Sequence, residues 1–141
     1  RLHAIDLGIQ MQLINVLRDI TEDMERGRIY LPVEVLASHN ISVASLQNEN
    51  IATTLSWKGF VVEYVEVIKR HQSSANHLFA YLDGRARVQP EIMADAYTSI
   101  LNEIVRRSGD VFTQPVKLSK LRKAMLGLRL SLRKLRARLL A

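Results

Sequence analysis

Phe60, Val61, Tyr64, Val65, Ile68, Ala75, Leu78, Phe79 and Leu82 recur at helical spacing, and this period constrains the fold more than any other feature of the sequence. A 3.6-residue period gathers apolar side chains into one stripe, which has to be buried against a second element. No segment keeps a period of two for long, and only three prolines and six glycines punctuate the chain. The fold class is therefore all-α. A first helix is expected from Leu2 to Met24, closing near Gly27. Pro32 is placed to open a short helix through Ala37, with Asn40 capping its end, and Ser42 to cap a turn from Val43 to Leu46. The long helix runs from Thr54 to Leu82. Asp83 to Pro90 break it, and Pro90 and Glu91 open a fourth helix that buries Ile92, Ala96, Ile100 and Ile104 and ends at Ser108 and Gly109. A last helix starts near Ser119. Leu118, Leu121, Met125, Leu128, Leu132, Leu135 and Leu139 follow one another there at alternating steps of three and four, a heptad seam.

The 141 residues suit a single helical domain over 1–141, and 48% hydrophobic with 24% charged residues is a globular composition. The lack of cysteine excludes a disulfide scaffold, a thiolate metal site and a cysteine nucleophile, and it agrees with a cytoplasmic setting. No apolar run approaches the ~18 residues of a membrane span. Arg1 opens the sequence on a helix already under way, which points to a piece of a longer protein. Net charge is +6, but all nine Lys and Arg from Lys117 onward stand without an acidic residue, which leaves the first 116 residues at −3. The basic character belongs to the tail. With an acidic body and no aromatics interleaved in the tail, nucleic acid is not an expected partner.

One helix is interrupted in a regular way. In `QLINVLRDITEDMERGRIYLP`, Gly8, Gln12, Asn15, Asp19 and Asp23 fall within a sector of roughly 80° at 100° per residue. Ile9, Leu13, Leu17, Ile20 and Met24 flank that file on one side, and Leu7, Met11 and Ile14 on the other. A carboxylate is too costly to bury without a partner, so the file must face water or a cation. Asp19 and Asp23 are one turn apart and repel unless positive charge lies between them. Magnesium fits that gap: it takes oxygen ligands and is commonly held by one or two carboxylates together with substrate phosphates. Asn15 would add a neutral oxygen, Gln12 would orient substrate or water, and Gly8 would leave room for an approaching group. An i, i+4 carboxylate pair alone is usually a solvated face, and Arg18 and Arg26 have an ordinary alternative in ion pairs with Glu22 or Asp23. The run of two amides and two carboxylates on a greasy helix, followed by Arg26 and Arg28, is what singles the file out.

The stretch `DLGIQMQLINVLRDITEDMERGRIYLP` resembles the second aspartate-rich region of the squalene and phytoene synthases, the head-to-head prenyl synthases. Their Q-x-x-N-x-x-R-D-x-x-x-D run is met by Gln12, Asn15, Arg18, Asp19 and Asp23, and their G-R-x-Y-x-P element by Gly27, Arg28, Tyr30 and Pro32. `GDVFTQPVKLSKLRK` resembles the family's closing segment, and Tyr97 sits on a helix like one near its C-terminal part. The resemblance implies the C-terminal half of an isoprenoid-synthase helical bundle around an apolar cavity. It implies Asn15, Asp19 and Asp23 as magnesium ligands, with Asp19, Asp23 and Tyr97 as catalytic residues. Gln12, Asn15, Arg18, Arg28 and Tyr30 would be substrate-binding. The substrates would be prenyl diphosphates, farnesyl or geranylgeranyl, joined head to head through a cyclopropyl intermediate. The cofactor would be Mg2+, with NADPH needed only if squalene is the product. For Tyr30 and Tyr97, ordinary packing is the competing expectation.

Two departures from the family pattern stand out. Asp19–Asp23 is the only D-x-x-x-D in the chain, so the family's other acidic motif would lie upstream of Arg1 and this piece alone is expected to be inactive. Pro115 stands where the family carries an arginine before the valine aligned with Val116. The basic last helix is expected to pack its leucine seam on the bundle with its charges solvated. Peripheral contact with an anionic membrane is the sharper alternative. A non-catalytic helical module that binds a partner or a membrane surface is the second functional reading. His3, His39, His71 and His77 are too scattered along the sequence to form a metal or catalytic set, and His71 reads as a packing or solvent-facing residue.

Overall fold

The computed structural model describes residues 1–139, leaving aside the side chains of Glu49, Arg122 and residues 133–139. The described residues form six α-helices: α1 (Leu2–Arg18), α2 (Ile20–Glu25), α3 (Val33–Ser38), α4 (Leu55–Asn76), α5 (Gly84–Arg106) and α6 (Lys120–Leu139). Three short 3₁₀ turns, Ala44–Gln47, Glu49–Thr53 and His77–Tyr81, join them, and no strand occurs among the described residues. The all-α expectation holds.

Helices α1 and α2 are the single helix expected from the sequence, with one irregular residue. Asp19 leaves the helical region (φ −101°, ψ 16°), yet its N–H still donates to the Asn15 carbonyl at 2.8 Å, and Asp23 N–H donates to the Asp19 carbonyl at 2.9 Å. The helix stops at Gly27 for a backbone reason. Gly27 takes φ +69°, and the N–H of Arg28 reaches back to the Asp23 carbonyl at 2.8 Å, closing a Schellman motif. Asn40 (φ +58°) ends α3 in the same way, its successor Ile41 donating to the Leu36 carbonyl at 2.9 Å. Thr54 caps α4 by accepting from Trp57 N–H, and Ser42 accepts from Ser45 N–H at 3.1 Å.

The fourth helix starts earlier than Pro90. Asp83 accepts N–H bonds from Arg85 and Ala86, which nucleates α5 at Gly84 and leaves Pro90 inside the helix. A mid-helix proline removes one intrahelical bond. The exposed first turns, tied by the N-cap and an Arg87–Glu91 ion pair at 2.5 Å, absorb that loss.

The core lies between α1, α4 and α5, under the connections. Ile14, Leu17, Leu36, Trp57, Phe60, Ile68 and Ile104 are fully buried in it. Trp57 packs against Phe60 and Phe112 with ring centroids 5.2 and 5.0 Å apart, and its indole N–H donates to the Gly109 carbonyl at 2.9 Å. Gly109 is held at φ +82° hard against Val61. Burial pushes the neighbouring Tyr64 hydroxyl up to about 12.

Helix α6 corrects the sequence-based expectation. It packs along α5 through buried Leu126 and an Arg129–Asp95 ion pair at 3.0 Å, while Leu118, just before it, rests on the core. Its heptad seam turns outward: Leu121 is 72% exposed, Leu128 61% and Leu132 52%, with Met125 exposed beside them. Leu135 and Leu139 lie outside the residues whose side chains are described.

Candidate active site

The polar file occupies the side of α1 and α2 turned away from the core. Helix α1 buries Leu7, Gln10, Ile14 and Leu17, and leaves Gly8 and Gln12 exposed, with Asn15, Asp19 and Asp23 half-buried. Leu2, Ile5 and Ile9 are also exposed on α1, so apolar surface continues from the N-terminal end of the file. The two backbone bonds that link Asn15, Asp19 and Asp23 stack their side chains one turn apart.

Within the file the groups differ in what they touch. Asp19 is gripped by its neighbour Arg18, whose Nε and Nη2 donate to its two carboxylate oxygens at 2.6 and 2.5 Å. Consecutive helical residues do not normally face each other, and the irregular dihedrals of Asp19 allow the pairing. The Asp19 hydrogen bond holds the Arg18 guanidinium above its ordinary pKa, against partial burial, and the negative charges of Asp19 and Glu22 add to it. Tyr97, on α5, packs against the core. Arg26 pairs with Glu22 at 2.6 Å, the ordinary alternative weighed for it. The Asp23 carboxylate makes no ion pair or hydrogen bond among the described residues. Asn15 Oδ1 is buried and accepts no hydrogen bond.

That last atom tests the magnesium expectation. A buried amide oxygen without a donor is costly in a folded chain, and the cost is relieved when a cation takes the oxygen as a ligand. An orphaned neutral oxygen, a free carboxylate and a carboxylate held by a displaceable arginine form an oxygen donor set of the kind magnesium takes. Among the described residues no three His, Cys, Asp or Glu side chains converge on a metal position. The donors here are two carboxylates and an amide, with the remaining coordination positions open to water and phosphate oxygens.

The other expected site residues are less closely gathered. Arg28 and Tyr30 follow α2 in an exposed irregular stretch, and no side-chain hydrogen bond or ion pair among the described residues ties them to the file. The backbone of Arg28 is fixed to Asp23 by the Schellman bond, so the arginine leaves the helix one turn beyond the last carboxylate. A cavity of about 750 Å³ opens beside the file. Arg18, Asp19 and Arg26 line it together with Phe112, Lys117 and Lys123. Lys123 carried no site expectation from sequence, because only the packing of α6 on α5 brings it there.

A second polar cluster was not legible. Asp6, nearly buried on α1, accepts from Ser74 Oγ at 2.5 Å and bonds His71 Nδ1 at 2.8 Å, and His3 contacts the same serine at 3.0 Å. These two hydrogen bonds hold the Asp6 carboxyl below the usual carboxylate range. His71 is thus a partner of a buried carboxylate across the α1–α4 contact, which no local signal reveals.

Comparison with known proteins follows the same outline. Residues 1–122 match the family model described as squalene/phytoene synthase. The phytoene synthase of Arthrospira platensis is 36% identical over 143 aligned residues, covering 97% of this chain and 43% of that protein. The presqualene diphosphate synthase of Rhodopseudomonas palustris is 33% identical over 81% of this chain and 40% of its own length. The 15-cis-phytoene synthase of Synechococcus elongatus is 37% identical over 77% of this chain and 35% of its own length. The chain spans less than half the length of each of these relatives.

Proposed function

We propose a function from one premise: the chain belongs to the squalene/phytoene synthase family, the prenyltransferases of isoprenoid and carotenoid biosynthesis. In this reading it supplies one acidic wall of an active site that condenses two prenyl diphosphates, farnesyl or geranylgeranyl, head to head. The observation that carries it is the buried, unpartnered Asn15 Oδ1, one turn before Asp19 and two before the free Asp23 carboxylate. Asn15, Asp19 and Asp23 would hold magnesium from one side. What that ion supplies when bound is positive charge against the diphosphate as its bond to the allylic carbon breaks.

The chain's own residues do the rest. Arg18 keeps Asp19 fixed until a cation competes for the carboxylate, and its planar guanidinium then suits phosphate oxygens. Gln12, exposed one turn before Asn15, presents its amide to the diphosphate or to an ordered water. Arg28 brings a further cation to the end of the file. Exposed Leu2, Ile5 and Ile9 offer an apolar wall along which a prenyl chain lies, away from water. Tyr97 packs against the core from α5, and its aromatic ring would tolerate an allylic cation. The second acidic motif that the family uses has no counterpart in the chain, so turnover requires the missing N-terminal half.

Titration of the chain with a non-hydrolysable farnesyl or geranylgeranyl thiodiphosphate tests the reading. Binding should require Mg2+ and should weaken by more than about tenfold in Asp19→Asn and in Asp23→Asn, since even the outer partners of metal ligands cost that much. Equal affinity in EDTA, or in both variants, rules out the metal-held diphosphate.

A further inference from the structure

His3 and His77 lie far apart in the sequence, yet the fold brings them together at the end of α1 opposite the polar file. Helices α1 and α4 pack along each other, and the turn His77–Tyr81 that follows α4 reaches the first turn of α1. The two imidazole rings stand with centroids 5.5 Å apart, tilted by 45°.

The bonding at His3 decides which of its nitrogens is free. Ser74 Oγ donates its one proton to Asp6 Oδ2 at 2.5 Å. The contact between Ser74 Oγ and His3 Nδ1 at 3.0 Å therefore carries the imidazole N–H, and His3 Nε2 keeps the lone pair. Metal-ligating histidines characteristically donate their other ring N–H to a carboxylate or to a bridging group, which sets tautomer and ring orientation. Here the nearly buried Asp6 gives that support through Ser74, and a bond to His71 Nδ1 at 2.8 Å holds the carboxylate in place. His77 is exposed and makes no hydrogen bond or ion pair among the described residues, so its ring has no bond to give up. Two imidazoles on one tetrahedral ion, with metal–nitrogen bonds of about 2.0–2.1 Å, place their ring centres roughly 5 Å apart. The observed separation is close to that.

We propose that His3 and His77 bind a divalent transition ion of the zinc class, with Ser74 and Asp6 positioning His3. Imidazole nitrogen suits such ions, whereas magnesium takes oxygen ligands, and water completes the coordination. The ion ties the first turn of α1 to the end of α4. Ring packing alone, in which His3 stacks on Tyr81 with centroids 5.9 Å apart, needs neither His77 nor the Ser74 relay. His3 and Asp19 are sixteen residues apart, roughly 24 Å of helix at 1.5 Å per residue, so one ion cannot serve both places. The proposal does not depend on the prenyltransferase reading.

Titration of the untagged chain with Co2+, read by its visible absorption and then by competition with Zn2+, tests it. One ion per chain is expected, and excess Mg2+ should not displace it. At a Zn2+ concentration a hundred times the dissociation constant, Tm should rise by about 10 °C. His77→Ala, on an exposed turn, should weaken binding by more than about a hundredfold, and Ser74→Ala, which removes no ligand, by about tenfold or more. Asp19→Asn should bind as the parent does. Circular dichroism checks that each variant folds, and His77→Ala serves where Ser74→Ala does not. No saturable binding by the parent overturns the proposal, as does full affinity in a folded His77→Ala or Ser74→Ala variant. Loss of binding in Asp19→Asn also overturns it, because the ion would then belong to the polar file.

Discussion

Replacing Asn15 by leucine should make the metal-free protein more stable. The side chains have nearly the same shape, and leucine is the better helix former by a few tenths of a kcal/mol. The larger effect comes from Oδ1, which is buried and has no donor. Leaving an acceptor in that state costs about 1–3 kcal/mol, and leucine removes it. Asn15 is half-buried, so part of the new side chain meets water and the gain falls in the lower half of that range, about 1–2 kcal/mol. For a domain of this size that is a rise in Tm of roughly 3–8 °C.

The same substitution should cost the protein its response to ligand. Melts followed by circular dichroism in EDTA, then in Mg2+ with inorganic diphosphate, read both effects. At a ligand concentration a hundred times its dissociation constant the parent gains about 2.7 kcal/mol, while the variant, short of one oxygen donor, gains far less. The order of the two melting temperatures then inverts between the two buffers. A parent more stable than Asn15→Leu in EDTA would show that Oδ1 serves the fold itself. An equal gain from Mg2+ and diphosphate in both proteins would remove Asn15 from the ligand set.

Gly109→Ala should destabilise the fold by about 2–4 kcal/mol in urea titrations, because the new Cβ meets Val61 Cγ2 at 2.6 Å in a left-handed backbone conformation. Glu103, held at about 2 by hydrogen bonds from Arg106 and then Arg107, is depressed in the folded state, so its contribution is complete above its ordinary value of 4.5 and is lost as pH falls toward 2. Acid titrations of stability should therefore be shallower in Glu103→Gln over that window, and identical slopes would contradict the pairing. Incubation of this chain with Mg2+ and farnesyl or geranylgeranyl diphosphate should yield no squalene or phytoene, and product by chromatography would refute the need for an N-terminal half.

Much of the fold was readable because the decisive positions announce themselves by residue type. Gly27 and Asn40 end helices in the left-handed region, a conformation that glycine and asparagine adopt most easily, so both stops were visible. Pro90 misled for the complementary reason. Proline states a local preference, but two N–H bonds to the Asp83 carboxylate start the helix six residues earlier and outweigh it. The polar file was readable as a face. The states of its members were not, because they depend on one irregular pair of dihedrals at Asp19 that turns Arg18 onto its neighbour rather than onto Glu22 or Asp23. The Asp6, His71 and Ser74 bonds join residues 65 and 68 positions apart, and nothing in either segment signals the other.

Periodicity in fact fixes which side chains share a face and is silent on what the face meets. On α1 the same spacing places Gln10 in the core at 1% exposure and Gln12 in the open, because the helix contacts α4 on one side alone. On α6 a heptad seam reads as a packing surface by every sequence rule, yet the contact with α5 uses Leu126, which lies off the seam. The leucines left outside are then a surplus of apolar area on the most basic element of the chain. Apolar area of that kind is unfavourable in water, and spacing alone does not tell which face of a helix its neighbours cover.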